Sequence, residues 1–158
     1  AADMVLFEQQ GCVSPRLALL HPACVVAEFV DALVAQLSNW AERIPLGSLA
    51  ESFAAEQTWS RKSLQHIAEL TEAGSGFVAV QREPAPWLLA PPARNLVVYV
   101  AEDLGAHIRQ LGPQLTTIAC ASELRRGELS SAAPRARLCE LGHMQTPAFD
   151  GPVDRRHS

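Results

Sequence analysis

The 158 residues hold 13 Lys and Arg against 17 Asp and Glu, and the basic side chains are scattered, which excludes the continuous positive surface that nucleic acid requires. A composition 48% apolar and 19% charged excludes a disordered chain, and no apolar run approaches the ~20 residues that span a bilayer. A chain of this length buries roughly two thirds of its extended surface, enough for one packed domain.

Residues 4–7 form a short apolar run that reads as a strand ending at a Gln-Gln-Gly-Cys turn, and residues 17–20, bounded by Pro15 and Pro22, read as a second strand. Across 23–44 the apolar positions Val26, Val30, Leu33, Leu37, Trp40 and Ile44 recur every three or four residues, which predicts a helix ended by Pro45 and Gly47. A second helix is predicted over 49–70, with Phe53, Leu64 and Ile67 facing inward and Gly74-Ser75-Gly76 closing it. Residues 77–80 read as a strand. The prolines at 84, 86, 91 and 92 then keep 83–92 out of a sheet interior. A strand over 95–100, a helix over 102–111 and a strand over 115–121 compose a β-α-β unit, which predicts a parallel pair. Beyond Ser122, Gly127, Pro134, Gly142, Pro147, Gly151 and Pro152 predict an irregular arm. The expected fold class is α/β, a layered parallel-type sheet with flanking helices over 1–121 and an extended C-terminal arm over 122–158.

Cys12, Cys24, Cys120 and Cys139 lie far apart, with no C-x-x-C pair and no histidine at ligand spacing, which argues against a zinc site and a disulfide framework. Cys24, on the predicted helix face, and Cys120, in a predicted strand, read as core cysteines. Cys12 differs because Gly11 and Pro15 flank it: glycine admits unusual backbone angles and leaves room above the turn, and proline prevents a helix from starting there. A thiol with a pKa of ~8.5 needs oriented N–H groups to act as a nucleophile at neutral pH, and a turn supplies them. His21, His66 and His107 share no element. Arg125, Arg126, Arg135 and Arg137 cluster without interleaved aromatics and read as a solvated face. No basic segment followed by an apolar one marks the N-terminus as a signal peptide, so the expected location is cytoplasmic.

The run Phe7-Glu8-Gln9-Gln10-Gly11-Cys12-Val13-Ser14-Pro15-Arg16, together with Leu141-Gly142-His143-Met144-Gln145-Thr146-Pro147, resembles the acyl-CoA reductase family of the bacterial bioluminescence fatty-acid reductase complex, a branch of the aldehyde dehydrogenase superfamily. Leu111-Gly112-Pro113-Gln114-Leu115-Thr116-Thr117-Ile118 looks like that family's strand after the last catalytic-domain helix. Two departures are His143 where the family usually has Arg, and Thr146 where it usually has a basic residue.

The resemblance implies the catalytic half of an aldehyde-dehydrogenase-like fold, with its nucleotide-binding half missing from this chain and NADPH bound mainly there. It makes Cys12 the nucleophile toward an acyl-CoA or acyl-protein thioester, giving an acyl-enzyme that NADPH reduces to aldehyde; the isolated piece is expected not to turn over. Glu83 stands where the superfamily often has a glutamate that touches the nicotinamide ribose. The Cys12 N–H is the natural first oxyanion donor, with Gln9 and Gln10 either substituting for an absent side-chain amide or bracing the turn. Trp87 reads as a core or interface anchor, or as a wall of an apolar channel. Alternatives are a related acyl-phosphate or short-chain acyl-CoA reductase, or a non-catalytic fragment that only pairs with a nucleotide-binding partner. Self-association into a homo-oligomer is left open.

Overall fold

A computed structural model describes residues 1–82 and 88–147. Its central sheet has four strands in the order β1 (Leu17–Leu20), β4 (Leu96–Val100), β3 (Gly76–Gln81) and β2 (Glu69–Ala73). β1 pairs with β4 in parallel, with Leu17 opposite Val97, and β4 pairs with β3 in parallel, with Leu96 opposite Val78. β2 and β3 form an antiparallel hairpin. Gly74 makes its turn possible at φ +63, a conformation glycine adopts without strain.

β3 is buried throughout and β4 along all but its last residue, Val100, as expected for β-structure covered on two faces. The period of two in a strand divides their side chains between two cores. Val78, Val80, Leu96 and Val98 meet Val30, Leu33 and Leu37 of α2 (Val26–Arg43). Phe77, Ala79, Val97 and Tyr99 meet Leu64, at the end of α3 (Glu51–Leu64), and Ala90. The helical spacing predicted for 23–44 is therefore the α2 core face. The α/β class with a parallel-type sheet and flanking helices is observed.

Several local expectations are corrected. Residues 4–7 are not a strand: α1 (Ala2–Val5) is a single helical turn with Met4 and Val5 packed into the α2 core, followed by a 3-10 turn over Leu6–Gln9. A four-residue apolar run fits either state by periodicity, and left-handed backbone at Phe7 rules out extension. The predicted helix over 49–70 stops at Leu64 because Glu69–Ala73 supplies β3 with its outer partner, so Ile67 is exposed rather than inward. Cys24 is exposed in the turn before α2, which begins at Val26, not at residue 23.

The predicted pairing of 95–100 with 115–121 does not form. β4 already has a partner on each side and presents no free edge to β5 (Thr117–Cys120). β5 instead pairs in parallel with β6 (Arg137–Glu140), so the β-α-β unit lies one step downstream, through α5 (Arg126–Ala132). Part of the arm expected to be irregular is therefore regular structure. Ile108 of α4 (Leu104–Leu111) packs with Leu129 and Ala132 of α5, and Leu19 of β1 packs against that core.

Candidate active site

The Ser14 N–H donates to the Gly11 carbonyl at 3.1 Å, closing a four-residue turn with Cys12 and Val13 at its corners. Val13 points into the protein and is 8% exposed, whereas the Cys12 side chain is exposed. The Cys12 N–H donates to no group among the described residues. An open thiol thus shares one corner with an uncommitted amide donor.

The unusual backbone angles expected at Gly11 occur earlier, at Phe7 (φ 55), Glu8 (φ 52) and Gln9 (φ 57). Non-glycine residues persist in this region only where their surroundings over-determine them, and here they do. The Gln9 side chain is 1% exposed; its Nε2 donates to the carbonyls of Pro15 (2.7 Å) and Asn95 (2.8 Å), and its Oε1 accepts from the Asn95 N–H at 2.8 Å. Both amide hydrogens are used, so Gln9 braces the turn and has none left for an oxyanion. The Glu8 carboxylate accepts from Arg94 Nε and Nη2, each at 3.0 Å, and the Glu8 carbonyl accepts from the Ala93 N–H. Such a two-point pairing fixes the orientation of both groups. Arg94, whose side chain is 1% exposed, also donates to the Ile44 carbonyl at 2.8 Å, and Ala93 and Arg94 are themselves left-handed. The site is built where two left-handed segments interlock.

A third support comes from 130 residues along the chain. The Asp3 carboxylate accepts from the backbone N–H groups of Gly142 (2.9 Å), Met144 (3.0 Å) and Gln145 (3.4 Å). Gln145 Nε2 then donates to the Asp3 carbonyl at 3.2 Å and to Ser14 Oγ at 2.8 Å, reaching the Cys12 turn itself. Arg137 donates to the Met144 carbonyl from β6.

A family model described as acyl-CoA reductase (LuxC) matches residues 1–154. The chain belongs to the LuxC acyl-CoA reductase family. No curated protein matches it. The match joins the two motifs on which the resemblance rests, residues 7–16 and 141–147, and the structure places those motifs against each other through Ser14 and Gln145.

The other described residues singled out in this LuxC family chain do not converge on Cys12. Glu83 and Trp87 lie outside the described residues. His21 Nδ1 accepts from the Ala23 N–H, and His107 bonds the Asp103 carbonyl, so each serves local structure. Arg125 pairs with Glu128 and Arg126 with Glu123. Gln10 is exposed beside the turn. Arg16 is held by the Ala90 carbonyl and Glu56; burial lowers its pKa, with Glu56 opposing. Burial raises the pKa of the Cys139 thiol, against the pull of Arg137.

Among the described residues no group of His, Cys, Asp and Glu is arranged to hold a metal ion, and no helix is long and apolar enough to cross a membrane. A surface depression of about 450 Å³ lies along the outer face of α3, lined by Ala54, Ala55, Thr58, Trp59 and the charged Glu51 and Lys62, and its lining holds no cysteine. Sequence reasoning missed Asp3, Glu8, Arg94 and Asn95. Of these only Asp3, an acid inside an apolar N-terminal run, left a local signal.

Proposed function

We propose that Cys12 accepts the acyl group of an acyl-CoA, or of an acyl-protein thioester, in the reaction of the LuxC family. The observation that carries this reading is the exposed Cys12 thiol on a turn corner whose own N–H is uncommitted, within a segment braced by buried Gln9. The Cys12 thiolate attacks the thioester carbonyl carbon, a new C–S bond forms, and the carbonyl oxygen takes the negative charge. The Cys12 N–H is the donor available to that oxyanion, and one such donor contributes on the order of 3 kcal/mol to the transition state. Collapse breaks the bond to coenzyme A, which leaves as a thiolate and takes its proton from solvent. Because one thiolate replaces another of similar basicity, the exchange is close to thermoneutral.

Reduction to aldehyde consumes a hydride from NADPH, and the described residues do not fit that cofactor. Gly74-Ser75-Gly76, their one closely spaced glycine pair, forms a β-hairpin turn rather than a strand-to-helix loop. Gly76 is pressed so closely against the Arg94 carbonyl that even a Cβ would collide there. No step toward the hydride is therefore assigned to these residues.

The test is intact mass after incubation of the full-length protein with octanoyl-CoA. A hydroxylamine-labile adduct is expected that survives in Cys24→Ser and vanishes in Cys12→Ser. Cys24 is the necessary control because it too is exposed. An adduct persisting without Cys12 refutes the assignment.

A further inference from the structure

We infer that Gln145 is a positioning residue that sets the Cys12 turn for acyl transfer, acting through Ser14. The inference rests on the reading of Cys12 as acyl acceptor and adds a residue 133 positions away in the chain.

Among the described residues, the bond from Gln145 Nε2 to Ser14 Oγ is the one side-chain hydrogen bond made to residues 11–14. The second Nε2 hydrogen goes to the Asp3 carbonyl, which can only accept, so the amide cannot flip without losing that bond. The Gln145 backbone is held as well, because the Asp3 carboxylate accepts its N–H and those of Gly142 and Met144. A side chain anchored at both ends is a rigid strut. It holds the turn at Ser14, whose Oγ accepts the bond, and its Oε1 lies near Gly11, where an added Cβ would stand 3.7 Å from it. Ser14 also closes the turn through its N–H to Gly11. Cys12 sits between Gly11 and the gripped Ser14, so loss of the strut frees the thiol to swing relative to its acyl donor.

Misplacing a reacting atom by about 1 Å costs up to ~100-fold in rate, so Gln145→Ala should slow acyl transfer to Cys12 by about 10- to 100-fold. The experiment is single-turnover acylation of the full-length protein by octanoyl-CoA, followed by intact mass across thioester concentration. The maximal rate should fall while the half-saturating concentration stays within about threefold, since the strut touches the turn and not the ligand. Alkylation of Cys12 by iodoacetamide, in a Cys24→Ser background, should stay within about threefold with the same pH midpoint, because a small reagent approaches from many directions.

Ser14→Ala removes the same bond from the other side and leaves the Asp3 contacts in place. The double variant should be no slower than the slower single variant, as expected for two changes that break one interaction. An unchanged acylation rate in Gln145→Ala, additive losses in the double variant, or an iodoacetamide rate that falls in parallel each overturns the inference. If Gln145→Ala does not fold, Ser14→Ala alone decides it: an acylation rate within threefold of wild type refutes the strut, and a loss of tenfold or more supports it. Failure of the acceptor reading itself is seen separately, as an adduct that persists in Cys12→Ser.

Discussion

Replacing Gln9 tests whether the left-handed segment before Cys12 is held by its amide. Gln9→Ala removes three hydrogen bonds at once, stranding the Asn95 N–H and C=O in the interior and the Pro15 C=O at its edge. At ~1–3 kcal/mol for each buried group left unsatisfied, and less for the partly buried one, the loss is about 3–6 kcal/mol. For a domain of this size a melting temperature moves roughly 2–4 °C per kcal/mol, so a drop of about 10–20 °C is expected by calorimetry. Gln9→Gly loses the same bonds but relieves the strain of φ 57, worth ~1–2 kcal/mol, less the greater freedom of glycine in the unfolded chain. It should therefore melt above Gln9→Ala, the reverse of the order at an ordinary helical site. Urea midpoints at constant m-value give the same comparison at fixed temperature. A shift below about 4 °C for Gln9→Ala, or alanine equalling glycine, refutes the reasoning.

Glu8→Gln leaves the buried Arg94 guanidinium without its anion and should cost about 2–4 kcal/mol in urea unfolding; a loss under ~0.5 kcal/mol would show the pair to be incidental. Gly76→Ala drives a Cβ into the Arg94 carbonyl, backbone that cannot rotate away, so loss of soluble protein or destabilisation beyond ~3 kcal/mol is expected, against a wild-type melt if the strands can part. Stability should also fall in alkali. Burial raises the pKa of the Cys139 thiol, so the folded state holds a proton that the unfolded chain releases; the contribution is complete below about pH 8.5 and is lost as pH rises toward the folded value. Tyr99, also raised by burial, adds its own decline above about pH 10. Cys139→Ala should flatten the fall between pH 8 and 10, and an unaltered slope counts against the assignment.

The inner strands and the long helix were legible because burial on two faces and on one face writes continuous and periodic apolar patterns into a chain. Val78, Val80, Leu96 and Val98 announce themselves this way, as do Val30, Leu33 and Leu37. Glu69–Ala73 does not, since an edge strand half open to solvent alternates weakly and its pairing depends on β3. The strand partners of β5 were also illegible, because edge availability is a property of the finished sheet. At the site, the cysteine and its turn were visible locally. The residues that hold them were not: Glu8 and Gln9 find their partners 86 positions away, Asp3 and Gln145 are 142 apart, and no local propensity encodes such distances.

Dependence on Gln145 gives the reactive turn a place in the order of synthesis. Residues 11–14 leave the ribosome 131 positions ahead of the amide that grips Ser14, which emerges only after β6. Domains assemble as units while the chain is made, so the sulfur waits on a turn without its brace while the intervening residues are added. On the proposed reading of Cys12, the nascent thiol is ill-placed for acyl capture until β6 and Gln145 have joined the fold.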